Sequence, residues 1–87
     1  METELNLLIE ELKKMAESLK KSGKPSAEFF EERIRFFQNE KDKAILKKEC
    51  GYLASSGKLV DLVPFNYEQQ QIFKRIFRLA SDIERSL

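Results

Sequence analysis

The chain has 87 residues, with 16 Lys or Arg against 15 Asp or Glu, no His, no Trp and one Cys. A chain this short rarely divides into two cores, so we expect one helical domain over residues 1–87. A net charge of +1 gives no strong overall field to attract nucleic acid or an anionic membrane.

Several function classes are excluded by residue types that are missing. A lone Cys rules out an internal disulfide, and no His and Cys cluster has the spacing of a zinc site. His, the commonest general base near neutral pH, is missing as well. We therefore expect no enzyme, no catalytic residues, no metal and no cofactor. The acidic N-terminus and the lack of a long apolar run favour a cytoplasmic protein with no membrane segment.

The first 21 residues carry the clearest helical pattern. Apolar residues recur at steps of three and four, which places them on one helical stripe: Leu5, Leu8, Leu12, Met15 and Leu19. Ser22, Gly23 and Pro25 then favour a helix stop, because Gly accepts a left-handed conformation and Pro cannot continue the hydrogen-bond ladder. The pattern predicts a helix from about Thr3 to Lys21.

A second helix is predicted after Pro25, with Ser26 as its N-cap. Phe30 and Phe37 share one stripe, whereas Phe29 and Phe36 lie about 100° away around the helix. Residues 38–43 are all polar, so we predict a break near residues 38–42. The alternative is one helix over residues 26–56, since Ala44, Ile45 and Tyr52 fall back near the Phe30 stripe.

The rest of the chain predicts a third helix over residues 44–56 and a fourth from Asn66 to about Ser86. Gly51 within the third helix suggests close approach of another helix, and Cys50 is expected to be a buried small hydrophobe rather than a reactive thiol or an intermolecular link. Asn66 and Gln69 have the spacing of a capping box. The fold class is thus all-α, a compact antiparallel bundle of four helices, or three if residues 26–56 are continuous.

Apolar side chains exceed what a thin four-helix core needs, which suggests an interface. The candidate interface residues are Phe29 and Phe36 on the second helix and Leu59, Val60, Leu62, Val63 and Phe65 in the connection that follows the third. This surplus predicts a small regulatory, adaptor, chaperone or inhibitor protein that binds a protein partner, with a homodimer as one form of such binding.

Nucleic-acid binding is the alternative prediction, and it depends on a basic cluster in the fourth helix. The cluster consists of Lys74, Arg75, Arg78 and Arg85. Arg75, Arg78 and Arg85 share one face, which suits contacts to phosphates. The competing interpretation is an exposed amphipathic face balanced by acidic residues of the second helix.

Overall fold

Four α-helices form the part of the chain that the computed structural model describes, residues 2–55 and 65–87. They are α1 (Glu2–Lys21), α2 (Ala27–Asn39), α3 (Lys43–Ser55) and α4 (Tyr67–Ser86). These bounds confirm the predicted all-α bundle. They also show that the polar stretch separates α2 from α3.

The end of α1 is set by Gly23, whose φ of +68° is the left-handed conformation that the sequence predicted there. Lys24 N donates to the Leu19 carbonyl at 2.9 Å, and Gly23 N donates to the Lys20 carbonyl at 3.0 Å. This pair of bonds is a Schellman stop, which satisfies carbonyls that the helix itself leaves unpaired.

The start of α2 differs from the prediction, because the Ser26 hydroxyl caps nothing. Ser26 has helical backbone angles (φ −62°, ψ −11°), and its buried Oγ has no hydrogen-bond partner within residues 2–55 and 65–87. Ala27 N donates to Lys24 O, and Glu28 N donates to Pro25 O, so the backbone already turns before Ser26. An N-cap residue needs an extended backbone to reach the first free N–H groups, and Ser26 lacks it.

The break between α2 and α3 is held by two carboxylates. Glu40 has an extended backbone (ψ 132°), and its Oε1 accepts from Lys41 N at 3.1 Å and Asp42 N at 3.0 Å. Asp42 Oδ1 accepts from Ala44 N at 2.9 Å and Ile45 N at 3.4 Å, so Asp42 caps α3.

The start of α4 is the capping box that the sequence predicted. Asn66 Oδ1 accepts from Gln69 N at 2.8 Å, and Gln69 Oε1 accepts from Asn66 N at 3.0 Å. Gln69 is fully buried, and its amide also joins α4 to the end of α1. Its Oε1 accepts from Lys24 Nζ at 3.0 Å, and its Nε2 donates to the Ser18 and Ser22 hydroxyls, both at 3.1 Å.

One hydrophobic core includes side chains from all four helices. The most deeply buried are Leu8, Leu12, Met15 and Leu19 of α1, Phe30 and Phe37 of α2, Leu46, Cys50 and Leu53 of α3, and Ile72, Phe73, Ile76, Ala80 and Ile83 of α4. The stripes predicted for α1 and α4 therefore face inward.

α1 and α4 each pack against two helices: α1 against α2 and α4, and α4 against α1 and α3. α1 and α4 are antiparallel: Gln69 at the start of α4 bonds to Ser18, while Arg75 further along pairs with Glu11 at 3.1 Å. The α2 and α3 backbones lie further apart than these packed pairs.

Gly51 was predicted to mark close approach of another helix, but among the described residues the structure shows only a side chain near it. A Cβ atom at Gly51 would collide with the carboxylate of Glu84. The neighbour is thus the end of a flexible side chain and not the α4 backbone.

Candidate protein-interaction surface

The two Phe pairs of α2 each divide between core and surface. Phe30 and Phe37 are buried, which confirms the predicted inner stripe. Phe29 keeps 37% of its surface exposed, and Phe36 is partly buried against the core. Each pair meets edge to face, with ring centroids 5.2 Å apart for Phe29 and Phe30 and 5.4 Å apart for Phe36 and Phe37. This geometry suits the ring quadrupoles and fixes the outer rings on the inner ones.

Arg33 lies between the two outer rings. Its guanidinium carbon is 5.4 Å from the centroid of Phe29 and 5.9 Å from that of Phe36. Residues three and four apart are neighbours on a helix, so this stack follows from the sequence spacing. Both distances lie within the range of cation–π attraction. Phe29, Arg33 and Phe36 therefore form a continuous strip along α2.

The strip ends at an open cleft between α2 and α3. Arg33 Nη1 forms an ion pair with Glu49 of α3, which bridges the two helices. Together with Phe29, Tyr52 and Leu53 these residues line a cleft of about 250 Å³. We call these five residues the α2–α3 cleft.

The walls of the α2–α3 cleft differ in exposure. Leu53 is buried at its floor, whereas Tyr52 is 60% exposed at its rim. Arg33 keeps one further donor, since its buried Nε has no hydrogen-bond partner among the residues that the structure describes. The cleft thus presents aromatic rims, an apolar floor and an adjacent pair of opposite charges.

Three residues of this cleft carry no motif in the sequence: Arg33, Glu49 and Tyr52. The four-residue step from Phe29 to Arg33 is the signal that predicts their stacking. No local pattern predicts the contact between Arg33 and Glu49, because it joins two helices across a turn.

Phe65 is the one candidate of the apolar connection that lies within the described residues. Phe65 is buried, with its ring centroid 5.8 Å from that of Phe73, so it belongs to the core and not to an exposed interface. It lies directly before the cap of α4 and covers the first turns of that helix. Leu59, Val60, Leu62 and Val63, the other candidates in this connection, lie outside the described residues.

The four cations of the basic cluster of α4 are exposed, but two of them form ion pairs. Arg75 Nε lies 3.1 Å from Glu11 Oε2, and Arg85 Nη2 donates to Asp82 Oδ1 at 2.6 Å. The balancing acids are thus on α1 and on α4 itself, not on α2 as the sequence suggested. Lys74 and Arg78 form no ion pair within residues 2–55 and 65–87.

Cys50 is buried in the core, as expected for a small hydrophobe. Burial raises the pKa of its thiol to about 11, and the negative charges of Glu84 and Glu49 act in the same direction. The thiolate is the nucleophilic form of Cys, so these surroundings suppress its reactivity.

The described residues contain no group of three or more Cys, Asp or Glu side chains in an arrangement that could hold a metal ion. None of the four helices is long and apolar enough to cross a membrane.

Comparisons with models of protein families, with curated proteins and with solved structures give no match. The function must therefore be argued from the side chains of this chain.

Proposed function

We propose that this protein has a non-enzymatic role and acts by binding another protein through the α2–α3 cleft and the adjoining strip of α2. The observation that carries the proposal is Arg33 stacked between Phe29 and Phe36 beside an open cleft. Aromatic and Arg side chains are enriched at the energetic centres of protein interfaces. The rings of Phe29 and Phe36 are already held by edge-to-face contacts with their neighbours, so these side chains lose little conformational entropy when a partner binds.

The cleft also indicates what the partner presents. Its apolar floor and aromatic rims suit one inserted apolar side chain, and its volume of about 250 Å³ leaves room for little more. The charges of Arg33 and Glu49 at its edge orient polar groups around that side chain. A second copy of the chain and a different protein both satisfy this description. The single buried thiol needs no oxidising compartment, which supports a cytoplasmic setting for either partner.

A photo-crosslinking amino acid at position 29 tests the proposal. Position 77 is the matched control, because Phe77 on α4 is 40% exposed, close to the exposure of Phe29. We expect position 29 to link to one defined protein in cells that make this chain and position 77 not to do so. Calorimetry with that purified partner is then expected to show at least tenfold weaker binding for Phe29→Ser and less than a twofold change for Phe77→Ser.

The proposal is contradicted if both positions link to the same set of proteins, or if Phe29→Ser binds the purified partner as well as the original chain does. Sedimentation of the purified chain separates the two classes of partner. A concentration-dependent increase in mass that Phe29→Ser abolishes indicates a second copy. A monomer at all concentrations indicates a different protein.

A second candidate function is nucleic-acid binding through α4, and the observation that favours it is the pair Lys74 and Arg78. These cations are four residues apart and lack ion pairs among the described residues, so phosphates would meet no competing carboxylate on them. Binding to generic duplex DNA or RNA at low salt that weakens steeply as salt rises supports this function. The double substitution Lys74→Ala/Arg78→Ala is expected to abolish that binding, whereas Arg85→Ala, which removes an already paired cation, changes it little. No binding at low salt excludes the candidate.

A further inference from the structure

Three sides of the bundle are closely packed, and the side between α2 and α3 is open among the described residues. α2 packs on α1, α1 on α4 and α4 on α3, while the α2 and α3 backbones lie further apart. The two helices still face each other, because Arg33 of α2 forms an ion pair with Glu49 of α3. They run antiparallel, since Phe29 in the first turn of α2 and Tyr52 near the end of α3 line the same cleft. We call the space between them the α2–α3 groove.

Both walls of the α2–α3 groove have an apolar residue on either side of one charge. The α2 wall is the strip already described, in which two Phe side chains flank Arg33. On the α3 wall, Ile45 lies four residues before Glu49 and Tyr52 lies three after it. All three therefore share the side of α3 that faces Arg33. Ile45 is 43% exposed and Tyr52 is 60% exposed, so both leave apolar surface in the groove.

The groove thus contains two apolar sites that are separated by one ion pair. The first site is the α2–α3 cleft itself, which has Leu53 as its floor. Because the walls are antiparallel, Phe36 and Ile45 lie at the same level on the other side of the Arg33–Glu49 pair. We call the space between Phe36 and Ile45 the second site.

The distance between the two sites indicates which kind of backbone fills both. Seven residues separate Phe29 from Phe36, and seven separate Ile45 from Tyr52, so the sites are about 10 Å apart along the groove. On a helix, residues seven positions apart lie on one face at this same distance. On a strand, the residues of one face recur at about 7 Å and about 13 Å, so a strand does not fit both sites. The groove therefore fits a helix with apolar residues seven positions apart.

The charges at the mouth of the groove are complementary to a helix whose two flanks differ in sign. Glu32 directly precedes Arg33 on α2, and its side chain is exposed. Lys48 directly precedes Glu49 on α3 and is exposed as well. Neither Glu32 nor Lys48 forms an ion pair within residues 2–55 and 65–87. Arg35 lies further round α2, away from the groove. A bound helix thus meets a negative rim on one side and a positive rim on the other.

The ion pair between the two sites restricts the residue that lies over it. A helix that covers Arg33 and Glu49 removes water from both charges, which costs free energy unless the helix supplies hydrogen bonds. A Gln or Asn side chain has a donor for the carboxylate and an acceptor for the guanidinium. An apolar residue at that level has neither, so the pair selects against it.

We infer that the partner of the proposed function enters the α2–α3 groove as an amphipathic helix. The helix has two apolar residues seven positions apart, a Gln or Asn between them, and flanks of opposite charge. This inference rests on the proposed function and adds the second site and the form of the partner to it. A second copy of the chain does not supply such a helix, because the described helices direct their apolar stripes into their own core. The helix therefore belongs to a different protein.

An Ala-based peptide of about 20 residues tests the inference before the partner is known. It contains two Leu residues seven positions apart, Gln four positions after the first Leu, and Glu before and Lys after each Leu. The control peptide has the same composition, with the two Leu residues five positions apart and thus about 140° apart around the helix. Fluorescence anisotropy is expected to show at least tenfold weaker binding for the control peptide.

One substitution separates the second site from the cleft. Ile45→Ser removes apolar surface from the second site alone, and it is expected to weaken binding of the first peptide at least fivefold. Phe77→Ser on α4 is the matched control, because Phe77 is 40% exposed, and it is expected to change binding less than twofold. Circular dichroism checks that both variants keep their helices.

The rim charges are tested by the direction of the bound peptide. In Glu32→Lys/Lys48→Glu the signs of the two rims are exchanged, so the peptide must reverse to keep its flanks paired. A nitroxide at the peptide N-terminus is expected to broaden amide signals at the Tyr52 end of the groove in one protein and at the Ile45 end in the other. A peptide that keeps its direction contradicts the role of these charges.

A tenfold preference for the first peptide that Ile45→Ser reduces supports the inference. Equal binding of the two peptides overturns it, as does no binding of the first peptide at millimolar concentration or binding that Ile45→Ser leaves unchanged. Failure of the proposed function is distinguishable from these results. A protein that links to position 29 and binds Ile45→Ser as well as the original chain retains the proposed function and overturns the inferred helix.

Discussion

Gln69 shows how one buried amide holds three segments of the chain together. Its oxygen accepts from Lys24 and from the Asn66 backbone, while its nitrogen donates to Ser18 and Ser22. Every hydrogen-bonding site of the amide is therefore occupied, which removes most of the cost of burying it. Because all of these hydrogen bonds would be lost, an apolar residue of similar size at position 69 is expected to destabilise the fold.

We predict that Gln69→Leu lowers the free energy of unfolding by about 2 kcal/mol, because a capping box is lost and several polar groups lose their partner. Urea denaturation followed by circular dichroism measures the change. Gln71→Leu is the control, since the side chain of Gln71 forms no hydrogen bond among the described residues, and it is expected to stay within about 0.5 kcal/mol of the original chain. Equal effects at the two positions would contradict the role assigned to Gln69.

Gly23 and Gly51 are expected to respond to Ala in opposite directions. Gly51 is helical and its absent side chain meets only the movable carboxylate of Glu84, so Gly51→Ala is predicted to raise the free energy of unfolding by up to about 1 kcal/mol. Gly23 has a φ of +68°, so Gly23→Ala is predicted to lower it by about 1 kcal/mol. Thermal unfolding of both variants checks the signs. A loss of stability in Gly51→Ala would mean that Glu84 cannot move aside.

At the scale of the helix, two residues that look like equivalent N-caps in the sequence behave differently. Asp42 caps α3 through two backbone N–H groups, whereas the Ser26 hydroxyl has no hydrogen-bond partner in the described part of the chain. We predict that Asp42→Ala lowers the free energy of unfolding by about 1 kcal/mol. Ser26→Ala is expected to leave it unchanged or to raise it slightly, because a buried hydroxyl without a partner is removed. Equal losses in both variants would contradict the assignment.

The elements that the sequence predicted well are those fixed by local chemistry. The stop of α1 at Gly23 and the capping box at Gln69 each depend on residues within one turn, and both were predicted from spacing alone. Ser26 was mispredicted because its role depends on where the backbone begins to turn, and the turn starts at Lys24 and Pro25. Helix ends that depend on the conformational preferences of neighbouring residues can thus be predicted from the sequence. The choice between adjacent residues as the start of a helix cannot.

The sequence predicted the candidate surface only in part. The spacing of the Phe pairs limited each pair to one inner and one outer ring, and the predicted inner rings, Phe30 and Phe37, are the buried ones. The Arg33–Glu49 bridge spans 16 positions and depends on the angle between α2 and α3. The spacing of residues along a single helix gives no information about that angle, so this contact could not be predicted.

At the scale of the whole molecule, α3 and α4 together bring negative charge close to the core. Glu49 is on α3 itself and Glu84 is on α4, and both act on the buried Cys50 thiol between them. Because the thiol is neutral when protonated, burial and both carboxylates favour the proton. The native chain therefore holds this proton at pH values where an unfolded chain, with an ordinary Cys pKa of 9.0, has already released it.

This difference predicts how global stability changes at high pH. Between pH 9 and about 11 the unfolded chain binds fewer protons than the native chain, so the contribution of Cys50 to stability, present below pH 9, is lost as pH rises. We expect the stability difference between the original chain and Cys50→Ala to shrink by on the order of 2 kcal/mol over this range. Urea unfolding of both proteins at matched pH values measures it, and titration of Lys and Tyr cancels between them. A difference that stays constant from pH 8 to 11 would show that the thiol titrates alike in the folded and unfolded chains, and that the bundle does not seal α3 against α4.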